Sequence, residues 1–258
     1  MDNSAKGTSP RTALVTGAAR RIGAAIARDL AAHGFAVAVH FHNSQEEAEA
    51  VVEAIRADGG RAEAFGADLS DAGQTGQLLA LARNRLGPID LLVNNASVFR
   101  EDAAAQFDGD VWGLHFAVHA RAPAQLAAAL AAQDDIDNAL IVNMIDQRVW
   151  RPNPNFFSYA LSKSAMWAQT KTLAQALAPR IRVNAIGPGP SIRSERQAEE
   201  DFARQIDGLL LKRGPAMHEF GATVRYFYDT PSITGQMLAL DGGQHLAWET
   251  PDIAGIPE

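Results

Sequence analysis

The sequence predicts an α/β fold, a single domain built on a mainly parallel seven-stranded sheet with helices on both faces. Two observations predict it. Apolar runs of strand length alternate with long helical stretches along the whole chain, the pattern of βαβ units whose crossovers cover both faces of a sheet. No linker-like stretch divides the 258 residues, and that length suits one large domain with a sizeable core.

Each element has its own signal. The expected strands are 12–16 (TALVT), 35–40 (FAVAVH), 61–67 (RAEAFGA), 89–95 (IDLLVNN), 139–144 (ALIVNM), 180–186 (RIRVNAI) and 236–240 (QMLAL). Helices are expected over 20–34, 44–60, 71–86, 110–132, 156–178 and 217–228. Gly34 and the Gly59-Gly60 pair stand where two of these helices must stop, as residues that tolerate positive φ do. Ser44 with Glu47 three residues later reads as a capping box. The segment 187–214 is the least regular part, either plain surface or a lid. The domain is expected to span 11–247, between a polar tail over 1–10 and an irregular tail over 248–258.

Composition narrows the function class. Apolar residues make up 47% and charged residues 21%, an ordinary globular balance. The formal net charge of -7 argues against a nucleic-acid partner, which calls for a basic face. No cysteine is present, so disulfides, thiolate nucleophiles and thiolate metal sites are excluded. The N-terminal residues lack the apolar stretch of a signal peptide, and no run reaches membrane-spanning length. A cytosolic protein is expected.

The turn TGAARRIG (Thr16–Gly23) follows the first strand and opens the first helix. Gly17 and Gly23 permit a tight turn, and the helix start offers free N–H groups to a pyrophosphate. Arg20, Arg21 and Ile22 complete that turn. The second strand ends in HFHNS with no carboxylate at its tip. Arg20 or Arg21, His42, Asn43 and Ser44 supply donors for a 2'-phosphate, which favours NADP(H) over NAD(H). Asp68, followed by Leu69, either accepts from an adenine amino group or caps the helix that starts near Ser70.

Tyr159 and Lys163 stand four apart on a helix and so share a face. Hydride delivery to C=O or C=N builds negative charge on the heteroatom, which needs a proton. A phenol serves at neutral pH when a nearby ammonium stabilises its phenolate. Taken alone, the pair reads first as a surface lysine and an amphipathic tyrosine on a packed helix.

TGAARRIG, ADL (67–69), NNAS (94–97), Tyr159-x-x-x-Lys163 and IGPG (186–189) occur in this order. Together they resemble the classical short-chain dehydrogenase/reductase family over nearly the whole chain, from Thr12 to about His245. The resemblance implies a Rossmann-type domain, nicotinamide-dependent hydride transfer and commonly a homotetramer. It places Asn95, Ala96, Ser97, Pro188, Gly189 and Ser191 at the cofactor, with Tyr159 and Lys163 catalytic. Most of the family carries serine thirteen residues before the tyrosine, whereas this chain has Asp146. An ionised carboxylate repels a developing alkoxide. It suits a substrate that presents nitrogen, either by passing a proton or by accepting hydrogen bonds from ring N–H groups.

A narrower resemblance is to pteridine and dihydromonapterin reductases. It assigns Arg21, Ser97, Phe99, Asp146 and Tyr159 to a pterin substrate and NADPH to the cofactor site. The runner-up is a generic carbonyl reductase, such as one acting on a 3-oxoacyl thioester. Phe99 is a ring platform or a loop plug. His119, which replaces the family's relay asparagine, is a relay through water or a structural histidine. Arg193 and Arg196 meet a substrate carboxylate or face water. The remaining histidines form no metal-ligand group.

Overall fold

A computed structural model describes residues 11–193, 197–250 and 253–255. Strands β1 (Thr12–Val15), β2 (Ala36–Phe41), β3 (Arg61–Gly66), β4 (Leu91–Asn94), β5 (Ala139–Met144), β6 (Ile181–Pro188) and β7 (Met237–Leu240) form one sheet. Their order is β3-β2-β1-β4-β5-β6-β7, and every neighbouring pair is parallel. Chain order reverses between β1 and β4, which opens a crevice beyond the C-terminal ends of those strands.

Alternation along each strand builds two cores. Ala13 and Val15 of β1 join a cluster with Ile26 and Leu30 of α1 (Arg21–Ala32), Val51 and Ile55 of α2 (Gln45–Ala57), and Phe220 and Phe227 of α8 (Met217–Asp229). Leu14, between them, faces the opposite cluster. Leu78 of α3 (Ala72–Leu86), Leu126 of α5 (Ala122–Ala131) and Ala174 of α6 (Phe157–Leu177) lie there. Strands buried on both faces explain why the runs read as nearly continuous apolar stretches.

Helix ends show where local signals hold and where they yield. Gly34 and Gly59 close α1 and α2 at φ of 87° and 84°. The expected Ser44/Glu47 capping box is not formed. Ser44 makes no side-chain cap bond, and the Glu47 carboxylate pairs instead with Arg20. Asp71, not Asp68, caps α3, accepting from Gly73 N at 2.7 Å and Gln74 N at 3.0 Å.

The helix expected over 110–132 divides into α4 (Gly109–Phe116), a π-helical turn (Ala117–Arg121) and α5. Pro123 is the physical reason. It has no N–H to give the carbonyl four residues earlier, and the wider turn carries the chain past it, with Ala122 N–H bonding back to Ala117 O. The segment 187–214, expected to be irregular, contains α7 (Glu199–Asp207), none of whose residues is buried. The proposed tail 1–10 and Arg196 lie outside the described residues. Among the described residues no helix is long and apolar enough to cross a membrane.

The far end of the sheet is fastened by Arg182 of β6. Its guanidinium donates to the carbonyls of Phe227 at 2.6 Å, Tyr228 at 3.0 Å and Thr230 at 3.2 Å, which satisfies the open C-terminus of α8. Arg182→Leu takes the donors from those buried and half-buried carbonyls and is expected to cost about 3 kcal/mol. Urea unfolding of the variant checks this.

Candidate active site

The predicted site residues lie at or beyond the C-terminal ends of the strands, so the fold gathers them on one edge of the sheet. Gly17, after β1, has φ of 61°. A side chain at Gly17 would bring Cβ to 2.9 Å from Ala96 Cα, and one at Gly23 to 2.3 Å from Gly17 O. Asn95 locks this seam by donating from Nδ2 to Thr16 O at 2.8 Å and Gly17 O at 3.0 Å. Thr16 Oγ1 accepts in return from the Asn95 and Ala96 amides, at 2.9 and 3.0 Å.

The start of α1 fits a pyrophosphate. Its N-cap, Arg20, makes no side-chain cap bond, and the first-turn amides of a helix suit an anion. Arg21 adopts φ of 52° and donates to Ile192 O at 3.0 Å, tying the turn to the loop after β6. Ile22 and Leu69 turn their side chains toward the cores, leaving only backbone for a ligand. Gly189, after Pro188, packs so closely on Asp241 that Cβ would stand 2.6 Å from Asp241 Cα, and partly buried Ser191 follows.

The donors expected for a 2'-phosphate are present, but carboxylates share the space. Arg20 pairs with Glu47, and His42 Nε2 lies 3.7 Å from Asp68 Oδ2. Asn43 is exposed and Ser44 partly buried beside them. Asp68 also accepts from Ser70 N at 2.8 Å. Arg193 turns back on its own loop, donating to Gln197 O at 2.8 Å.

His40 is a site residue that sequence reasoning missed. Gly17 N–H donates to its Nδ1 at 3.0 Å, so Nε2 carries the proton and donates to Ala67 O at 3.0 Å. The imidazole therefore joins the phosphate turn to the exit of β3. Burial lowers its pKa to about 4.

At the end of β5, Asp146 caps a 3₁₀ turn (Gln147–Val149), accepting from Arg148 N at Oδ1 at 2.9 Å. Its other oxygen, Oδ2, accepts the Tyr159 hydroxyl at 2.9 Å. Lys163 Nζ donates to Met144 O at 2.9 Å. Burial raises the Tyr159 pKa well above its usual value, and the Asp146 carboxylate raises it further. The expectation of a phenolate stabilised by the lysine therefore gives way to a phenol held protonated. Burial lowers Lys163 to about 8.

Phe99 is no plug. It is 42% exposed and stands edge-on to Tyr159 at 4.7 Å between ring centroids. Phe156 lies 4.2 Å from it and holds φ of 58° at the entry to α6, a left-handed conformation costly for a bulky residue. The Arg148 guanidinium lies 6.0 Å from the Phe99 ring centre and 5.7 Å from that of Phe156. His119 is fully buried, with Nδ1 on Ser162 Oγ at 2.8 Å and Nε2 accepting from Val98 N at 3.2 Å. Ser97 Oγ also lies 3.0 Å from Nε2, so His119 joins the NNAS loop to α6. No group of three or more metal-ligating side chains exists among the described residues.

The comparisons agree with this geometry. A family model described as short chain dehydrogenase matches residues 11–202. The chain belongs to the short-chain dehydrogenase family. It is similar to FolM alternative dihydrofolate reductase 1 of Brucella canis, solved with NADP, at 57% identity and a TM-score of 0.92, covering 95% of this chain and 98% of that one. The Brucella suis protein of the same name, also solved with NADP, is 58% identical over 95% of this chain and 99% of its own, again with a TM-score of 0.92. A 3-oxoacyl-[acyl-carrier-protein] reductase from Synechocystis is 32% identical over 246 residues, covering 90% of this chain and 96% of its own.

Two outcomes follow from the charges. Folded His40, at about 4, binds fewer protons than an unfolded histidine at 6.5. Its contribution is complete above about pH 6.5 and falls by roughly 3 kcal/mol by pH 4. The stability difference between wild type and His40→Asn, measured in urea at pH 7 and pH 4, should shrink by that amount. Asp146→Asn removes the charge but keeps a hydrogen-bond partner, so ultraviolet titration should find Tyr159 ionising at lower pH than in wild type.

Proposed function

We propose that the protein is an NADPH-dependent reductase of a pterin ring. The observation that carries this reading is the Asp146 carboxylate accepting the Tyr159 hydroxyl at 2.9 Å, beside an exposed aromatic face at Phe99. The two relatives at 57% and 58% identity, named as alternative dihydrofolate reductases and solved with NADP, support both substrate class and cofactor. The donors His42, Asn43, Ser44 and Arg20 suit the 2'-phosphate, and the first turn of α1 suits the pyrophosphate.

The bound nicotinamide supplies the hydride. The chain's residues orient the ring and move the proton. Phe99 offers a flat apolar surface, worth roughly 0.5–1.5 kcal/mol beyond burial where a ring stacks on it. Asp146 accepts from ring N–H or amino groups, for which an anionic acceptor is stronger than a neutral hydroxyl. Tyr159, kept neutral by burial and by Asp146, is a proton donor toward a ring nitrogen. Lys163 holds its cation beneath the Tyr159 ring, Nζ lying 5.9 Å from the ring centre, and meets the nicotinamide ribose in this reading. Ser97 and Arg21 flank the substrate and the cofactor phosphates.

A carbonyl reductase is the second reading, favoured by the Synechocystis relative at 32% identity. Asp146 opposes it, because an ionised carboxylate destabilises an alkoxide forming beside it. We further take residues 11–247 as the catalytic domain of a cytosolic homotetramer. Exposed Tyr226 and Leu238 give an apolar surface in keeping with self-association, and a monomer mass by light scattering would remove that part.

With NADPH, the purified protein should reduce dihydrobiopterin, dihydromonapterin or dihydrofolate. Turnover of acetoacetyl thioesters with none of these pterins would reverse the assignment. Asp146→Ser keeps a capping oxygen for Arg148 N yet should lose pterin turnover by about 10²-fold or more, with NADPH binding retained. Affinity for NADPH should exceed that for NADH, and equal binding would count against the cofactor reading.

A further inference from the structure

Two histidines outside the proposed chemistry hold the loop that carries Phe99. The amides on either side of Phe99 both donate to imidazoles: Val98 N to His119 Nε2 and Arg100 N to His115 Nε2, each at 3.2 Å. Behind them, His115 Nδ1 meets Ser158 Oγ at 2.7 Å, and His119 Nδ1 meets Ser162 Oγ at 2.8 Å. All four side chains are fully buried. The histidines are four apart on one helix, and the serines are four apart on α6, flanking Tyr159.

A backbone amide only donates, so each Nε2 must be bare and each Nδ1 must carry the proton. Ser162 independently requires the same arrangement. Its hydroxyl donates to Tyr159 O at 2.8 Å, leaving its oxygen to accept from His119. The imidazoles stack with centroids 5.7 Å apart and planes 15° from parallel. Both stand steeply inclined to the Tyr159 ring, at 73° and 87°, with centroids 5.9 and 5.5 Å away. One array thus fixes the backbone on both sides of Phe99 and flanks the Tyr159 ring.

We propose that His115 and His119 form a paired clamp that sets Phe99 against Tyr159, with His115 a positioning residue that determines how tightly the pterin ring is held. Phe99 is 42% open to solvent, and its ring meets Phe156, Tyr159 and the Arg148 guanidinium. The backbone that carries that ring is held by the two Nε2 acceptors. The substrate half of the proposal rests on the pterin reading above. The clamp itself does not.

Two substitutions separate the clamp from plain structural support. In His115→Gln the amide oxygen reaches the place of Nε2 and accepts from Arg100 N. In His115→Asn only the Ser158 side of the link is kept. KM and kcat for dihydrobiopterin at saturating NADPH, NADPH affinity, and hydrogen exchange of the Arg100 amide are measured for both. His115→Asn should raise KM tenfold or more, leave NADPH affinity within twofold, and speed Arg100 exchange. His115→Gln should stay within about threefold of wild type throughout. Equal behaviour of the two variants, or a KM change that merely tracks their melting temperatures, overturns the clamp. If wild type reduces no pterin, the function reading fails by itself. The clamp is then judged by exchange and by nitrogen–proton correlation spectra of the imidazoles. A proton on Nε2 of His115, or unchanged Arg100 protection in His115→Asn, overturns it.

Discussion

The seam between β1 and β4 is the constraint on which the site depends. Asn95 Nδ2 bridges the Thr16 and Gly17 carbonyls, and Thr16 Oγ1 accepts two amides in return. These bonds hold together the two strands that diverge in chain order. From them hang the phosphate turn on one side and the NNAS loop with Phe99 on the other. Glycine at 17 and 23 is forced by this closeness, since a side chain at either would strike the opposing backbone. The crevice is therefore set by main-chain packing before any ligand enters.

Electrostatics in the crevice follow from burial. Tyr159 and Lys163 are both withdrawn from water, and each is pushed toward its neutral form. Asp146 keeps its two oxygens occupied, one by a backbone amide and one by the phenol. Family serine in this position would leave the tyrosine facing a neutral hydroxyl. The carboxylate instead accepts the phenol's hydrogen bond and adds to burial in raising its pKa. In the proposed reading, one residue thus changes both the proton inventory and the substrate that fits.

Much of this was legible in the sequence. Strand runs with both faces apolar led to the parallel sheet, and the spacing from Asp146 to Tyr159 survived into a hydrogen bond. Other parts depended on partners that no local pattern names. Ser44 and Glu47 have capping-box spacing, yet Arg20 captures the glutamate from another element. Asp68 and Asp71 compete for one helix start, and the bond geometry favours Asp71. His40 is hidden inside an apolar strand, and its role requires Gly17 and Ala67 at once. The matching fours in HFAVH and SYALS were visible, but they gain meaning only when the two helices lie side by side.

The π-helical turn at Ala117–Arg121 ties a backbone constraint to the clamp. Pro123 has no N–H for the carbonyl four residues earlier, and that carbonyl is the one of His119 itself. The chain passes the proline by winding wider, Ala122 N–H reaching Ala117 O, and such turns are frequent at functional sites. The residue whose helical bond is given up is thus the one whose imidazole receives the Val98 amide. A proline two helical positions beyond the π turn and the aromatic ring at the crevice are in this way parts of one local arrangement.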